Sequence, residues 1–518
     1  MTADNAPPPP DATSNATRLL CAGAYLDPLY RKAVIRELLT HRYRVVAPSY
    51  GYDAVPVLAH ALAATDLRRQ QVLTLAGGAV VILVGSVTGL LDSLVASLLF
   101  GWLAWATMFL RRLAVLRMLT KHLAPPQERP GFGAAYPRSR HLTPAIVRKI
   151  SAEQNSDTVY YGGYKPFVGA GQLWRSWSNA ELLIGVPEKP ANPFGQALFE
   201  GGLPLPRQNG SPDDASGRGE VRRRAIVPFT AADITDRVRQ QMLKELKETP
   251  RPADRVQLLS VERRRFTKAV RFLDTGEPED FDDGPDEHWR EDYDAGREYL
   301  CVRIGAWQQE LVTTVFVGFD IKGTTLHTEF YTYVLAPITQ SFRLVDRLPE
   351  RVDGALMCRI AWHVLRSAPG ELLGLAFNPL KERLPRKVGS DTVKTEVAQP
   401  TDHSEFGLGR YAHKVVDCGA RASVRELATP QVFHHFFQES DAHKYTQIVE
   451  RHLLQIIGDF LHDHDVDTRE HEANQTNILQ QNFGANSNNN FGGTQSVGNR
   501  GNQTFGNNSG ITRERRPA

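Results

Sequence analysis

Between Arg69 and Arg111 runs QQVLTLAGGAVVILVGSVTGLLDSLVASLLFGWLAWATMFL, forty-one residues whose only charge is Asp92, close to the middle. No other feature of the chain restricts its fold so strongly. As one helix the stretch would extend about 60 Å at 1.5 Å per residue, roughly twice a hydrocarbon core of about 30 Å. Two crossings fit instead, over residues 72–91 and 93–110. Each Leu, Ile, Val or Phe favours insertion by roughly 0.3–0.6 kcal/mol, against a cost of about 2.5–3.5 kcal/mol for a charge at the bilayer centre. Asp92 is therefore expected at the turn, among the headgroups.

Arg68 and Arg69 precede the first span, and Arg111, Arg112 and Arg117 follow the second. The positive-inside bias then predicts a multi-pass protein of the cell membrane with both termini cytoplasmic. Gly85 and Gly89 make a small-xxx-small step, and Trp102 and Trp105 are placed to pack at or near an interface. The competing reading, a buried hairpin of a large soluble protein, is disfavoured because soluble helices seldom run so long without charge. Upstream, residues 27–69 read as helix, short strand-like stretch and helix. Downstream, RRLAVLRMLTKHLA reads either as a basic amphipathic segment on the inner leaflet or as a plain extension of the second span.

At 518 residues the chain exceeds what one core usually serves. Its 61 basic and 58 acidic residues are nearly balanced and interspersed, which argues against nucleic acid as a partner. Four scattered cysteines, Cys21, Cys301, Cys358 and Cys418, show no metal or redox spacing and suit a reducing compartment. The divisions expected are a disordered Pro-rich leader (1–17), an N-terminal helical segment (18–70), the hairpin (71–110), an amphipathic extension and linker (111–139), a cytosolic body (140–470) and a polar tail (471–518).

Within the body, alternation in TLHTEFYTYV and the turn DIKG predict an antiparallel hairpin in a three-stranded meander. Thr230 and Asp233 form a capping-box pattern ahead of a helix, and AIVPF before it reads as a short strand. Tyr445, Ile448, Val449, Leu453, Ile456, Ile457 and Phe460 mark a second amphipathic helix. The fold class expected is α+β: a transmembrane hairpin joined to a cytosolic antiparallel sheet with helices on one face.

Gly169 and Gly171 form a GxG without the third glycine of a dinucleotide fingerprint, so a tight turn with close backbone approach is the better reading. The acidic loop around Asp280, Asp282, Asp283 and Gly284 lacks calcium-loop spacing, and Asp459, His462 and Asp463 end a helix with no further ligand implied. No P-loop, zincin or nucleophile-elbow motif occurs. No catalytic residue, cofactor or metal is assigned, which leans toward a non-enzymatic role.

The tail spaces Phe483, Phe491, Val497 and Phe505 at steps of eight, six and eight residues. QQNFGANSNNNFGG (480–493) set over TQSVGNRGNQTFGN (494–507) gives two fourteen-residue units in register. Gln481, Phe483, Gly484, Phe491, Gly492, Gln495, Val497, Gly498, Gln503, Phe505 and Gly506 recur as an assembly pattern. In a β-arch the apolar residues would point inward, the glycines would allow bends, and Asn or Gln would ladder. A disordered low-complexity tail is the alternative.

QSVGN and QTFGN resemble bacterial amyloid-signalling motifs related to the RHIM. RLLCAGAYLDPLYRKAVIREL, the hairpin, KPFVGAGQLWRSWS and FFQESDAHKYTQIVERHLLQIIGDFLHDHDVDT together resemble a family of uncharacterised actinobacterial membrane proteins. That resemblance implies a membrane location and no reaction. The leading expectation is a membrane-anchored interaction or assembly protein whose partners are the lipid bilayer and, through its tail, itself or another protein. Two alternatives are a membrane-attached enzyme or ligand-binding protein with a pocket near YYGGYKPFVGAG, and a membrane-permeabilising defence effector.

Overall fold

The computed structural model describes residues 11–41, 43–123, 132, 136–188, 223–248, 256, 258–273, 290–291, 296–349, 352–377 and 414–486. Helix α1 (Asn15–Leu26) starts where the Ser14 hydroxyl accepts a bond from the Thr17 amide at 3.1 Å. Residues 11–17, expected to be leader, thus form a turn and the first turn of a buried helix. Asp27 caps α2 (Pro28–Ile35), with Pro at its first position where no amide is needed. The strand-like stretch after it joins no sheet; Val45 instead donates to the Cys418 carbonyl at 2.9 Å and Ser49 to that of Gln154 at 3.3 Å.

Helices α3 (Ala54–Val87) and α4 (Ser93–His122) are both long and apolar enough to cross a membrane. α3 starts well before its expected span and ends at Val87, short of residue 91, whereas α4 continues past residue 110 to His122. Ala54, Val57, Leu58, Ala61 and Leu62 of α3 are at most 1% exposed and pack with α1, whereas Val81, Leu83 and Val87 farther along are 63–80% exposed. One rigid helix therefore passes from the protein's core into an uncovered apolar rod. Residues 111–122 of the basic stretch continue α4 without a break and bury Leu113 and Leu119, as in the plain-extension reading. Leu119 and Leu123 join a core made by α1, α2, the start of α3 and α5 (Pro144–Gln154).

The main sheet has six strands in the order β1-β3-β6-β7-β8-β2: β1 (Thr158–Tyr160), β2 (Gln172–Leu182), β3 (Leu259–Thr267), β6 (Arg297–Ala306), β7 (Leu311–Lys322) and β8 (Thr325–Leu335). It is mixed rather than antiparallel throughout, because β1 pairs with β3 in parallel. The expected meander is β6-β7-β8. Its tight turn is Gly323–Thr324, with Lys322 paired to Thr325; Gly323 has φ of 61°, as the first position of a type II′ turn requires. A small sheet joins β4 (Ala269–Leu273), β5 (Arg290–Glu291) and β9 (Lys414–Asp417).

One face of the main sheet is covered by α6 (Ala231–Leu246) and α8 (Phe436–Asp463). The capping box opens α6: Asp233 accepts from the Thr230 amide at 2.8 Å and donates its own amide to Thr230 Oγ1 at 3.4 Å. AIVPF runs extended ahead of it without strand pairing. Val449, Leu453, Ile456, Ile457 and Phe460 of α8 are buried against the sheet. Between α6 and α8 in sequence, α7 (Gly354–Phe377) follows the meander. Among the described residues the last helix, α9 (Arg469–Asn486), occupies the beginning of the polar tail.

Between β6 and β7 the backbone makes a left-handed turn without glycine: Trp307, Gln308 and Gln309 have φ of 52°, 55° and 69°. Each such residue costs roughly 1–2 kcal/mol. Two side chains hold it. Gln309 Nε2 donates to Asp11 at 2.6 Å and Trp307 Nε1 donates to Asp441 at 3.0 Å.

Candidate functional site

The second face of the sheet is divided between a filled half and an open half. On the filled half, the loop from Tyr161 to Gly171 inserts Phe167 among Phe266, Tyr299, Phe316, Tyr331 and Tyr333, with ring centroids 4.1–5.4 Å from its own. Gly169 and Gly171 make this possible. Their φ values are 87° and 98°, and a Cβ on them would lie 2.8 Å from the Pro48 carbonyl and 2.4 Å from that of Val334. Both amides donate to Glu426 Oε1 at 3.1 Å, while Oε2 accepts from the Ser423 amide at 2.9 Å. Burial raises the Glu426 carboxyl above its ordinary value, and these three amides work against that rise. The glycine pair is thus a close-packing turn, and the stretch YYGGYKPFVGAG plugs the sheet where a pocket was the alternative.

The open half is a groove of about 690 Å³. Strand alternation and register put Glu329 of β8 opposite Gly318 of β7 and Ser178 of β2, with His327 opposite Asp320 and Ala180. Gly318 has no side chain, and a Cβ there would lie 2.7 Å from the Tyr299 ring. Tyr299 therefore lies across the middle strand and donates to Glu329 Oε2 at 2.6 Å. Its phenol is pushed far up by burial first and then by that hydrogen bond and the Glu329 charge. It stays protonated, a fixed donor to the Glu329 carboxyl. Asn179 and Arg297 add polar groups at the rim, and Lys322 lies 3.5 Å from Asp320.

This arrangement is suited to holding a small polar ligand by hydrogen bonds and charge. Among the described residues no cluster of three or more His, Cys, Asp or Glu is placed to hold a metal. Asp463, at the end of α8, pairs with Arg237 at 3.1 Å. The acidic loop around Asp282 lies outside the described residues.

The hairpin residues separate into distinct roles. Asp92 caps α4, accepting from the Leu94 amide at 3.3 Å, and so sits at the turn. Gly89 lies outside α3 in that turn, with φ of 75°, while Gly85 is inside α3 with Leu91 folded against it. The two glycines do not share one helical face. Where the hairpin helices do approach, Gly78 faces Leu103. Trp102 is 64% exposed, whereas Trp105 stacks on Phe109 and its Nε1 donates to the Ala361 carbonyl of α7 at 3.1 Å.

In the tail, Gln481, Phe483 and Gly484 fall within α9. Glu470 and Glu472 in its first turn favour that helix through the dipole. Phe491, Gly492, Gln495, Val497, Gly498, Gln503, Phe505 and Gly506 lie outside the described residues.

The model of the AbeC-like domain matches residues 176–498, more than half of the chain, taking in the groove and leaving the hairpin outside. No curated protein and no solved structure matches the chain.

Proposed function

The chain belongs to the AbeC-like domain family, and on that premise we propose a membrane-anchored interaction protein. Its hairpin crosses the cell membrane, its body faces the cytoplasm and its tail gathers copies of the chain. The observation that carries the anchoring is the uncovered apolar surface of α3, α4 and the turn between them. Val81, Val87, Leu90, Leu94 and Leu98 are 70–82% exposed, and such a contiguous patch is stable only against lipid or a partner. The tail's role is supported by its sequence, with two fourteen-residue units and Arg500 the only charge between Asn474 and Ile511.

Association of tails raises the local concentration of hairpins without any new contact between them. Dye-labelled full-length protein in a supported bilayer forms clusters that bleach in many steps. Substituting Phe491→Asp and Phe505→Asp together should return single-step bleaching, and an unchanged step distribution would remove the tail from the proposal.

A second reading, a ligand-binding body, is favoured by the fixed Tyr299–Glu329 pair in an open groove. A screen of small cationic and polyhydroxy compounds by thermal shift tests it. A compound that raises the melting temperature of the wild type should do so at least tenfold less potently in Glu329→Gln, since charge-assisted bonds are worth about 1.5–3 kcal/mol.

A further inference from the structure

Helix α7 is fastened to the hairpin. Met108 and Phe109 of α4 pack with Ile360, Val364 and Ala368 of α7, and Trp105 donates to the Ala361 carbonyl at 3.1 Å. One turn closer to the body, Arg112 lies 2.8 Å from His363 Nδ1 and donates to Ser367 Oγ at 2.9 Å. The contact thus covers α4 from Trp105 to Arg112, about 10 Å at 1.5 Å per residue.

Those residues form the basic end of the apolar rod, the level at which chain interior gives way to headgroups if residues 93–110 cross the bilayer. A helix seated there cannot stand clear of lipid. Its outward face has the composition for that place. Trp362 is 70% exposed and Leu365 56%, while Arg359 and Arg366 are exposed on the same helix. Trp favours the interface, and long basic side chains keep their heads at the phosphates while their stems cover apolar surface.

We infer that α7 is a third membrane element, an interfacial helix that lies in the headgroup layer on the Arg112 side and fixes the body against an anionic lipid surface. This rests on the membrane reading of α3 and α4. Arg112 is its positioning residue, and no contact beyond lipid is required for its exposed face.

Cys358 makes the test direct, because it is exposed on α7 while Cys21, Cys301 and Cys418 are buried. Full-length protein is reconstituted in vesicles of phosphatidylcholine and phosphatidylglycerol and labelled at Cys358 with bimane. Quenching is then compared between lipids spin-labelled high on the acyl chain and aqueous iodide. A parallel sample carries Leu98→Cys with Cys358→Ser, which reports on the span itself. The expected result is strong quenching of Cys358 by shallow spin label and at least threefold weaker quenching by iodide. Arg112→Ala should reverse that preference at Cys358 and leave the Leu98 site unchanged. Iodide quenching of Cys358 with lipid quenching at the Leu98 site would overturn the inference and leave the span standing. Iodide quenching at both sites would remove the membrane reading, and the inference with it.

Discussion

Replacing Phe167 with alanine is expected to lower the unfolding free energy of the body by about 3–5 kcal/mol. The side chain is 5% exposed and touches five aromatic rings, the nearest stacked at 4.1 Å from Phe316. Its removal leaves a cavity that the rigid strands β3, β6, β7 and β8 are poorly able to close. The partners lose both transfer energy and edge-to-face contacts, worth roughly 0.5–1.5 kcal/mol per aromatic pair. Phe167→Leu keeps most of the volume and should lose less than half as much. Guanidinium denaturation in detergent, followed by tryptophan fluorescence, gives the comparison. A loss below about 1 kcal/mol for alanine would mean that the loop is an adaptable cover and that a pocket lies beneath it.

The second large effect is acid destabilisation through His60. This residue sits in the buried part of α3, 1% exposed, with Nδ1 3.1 Å from the Tyr25 hydroxyl. Nε2 finds no partner among the described residues. Burial, with a smaller contribution from His122, lowers its pKa from 6.5 to about 4. The folded state therefore keeps His60 neutral, while the unfolded chain takes up a proton as the pH falls below 6.5. Between pH 6.5 and 4 the unfolded state binds more protons, so stability falls with pH across that window and this group adds nothing further below it. The full effect is about 3 kcal/mol at 1.36 kcal/mol per unit.

Glu153 and Glu426 act in the opposite sense, since burial raises both above 4.5 and folding is then favoured by protonation. The His60 contribution is isolated as the difference between wild type and His60→Leu. The variant's denaturation midpoint should be flatter between pH 7 and 4, and parallel curves would show that His60 is solvated.

What the sequence made legible was local. The hairpin showed in a forty-one-residue run with one charge, the Thr230–Asp233 cap in a four-residue pattern, and the meander in the alternation of TLHTEFYTYV. Each depends on residues close in the chain. The groove was not legible, because Tyr299 reaches Glu329 only across Gly318, and the three lie on different strands. The role of Gly169 and Gly171 was half visible: a tight turn was expected, but its acceptor, Glu426, is more than two hundred residues away. The parallel β1–β3 pair was hidden because β1 is only three residues long. The left-handed turn at Trp307–Gln309 contains no glycine to announce it, and its supports come from Asp11 and Asp441. In α7 the mixture of Arg359, His363 and Arg366 among apolar residues masked a helix whose partner lies on α4.

We propose that α3 and α4 cross a bilayer and return both their ends to one side. It is tested most directly by labelling intact cells with a membrane-impermeant maleimide, in a Cys358→Ser background where the remaining native cysteines are buried. One sample carries Leu90→Cys, at the turn and 82% exposed; the other carries Arg117→Cys, on the exposed side of α4 beyond the span. The expected result is labelling of the Leu90 site from outside, and of the Arg117 site only after permeabilisation. Protection of both sites until the membrane is opened would place the whole hairpin inside the cell and contradict it.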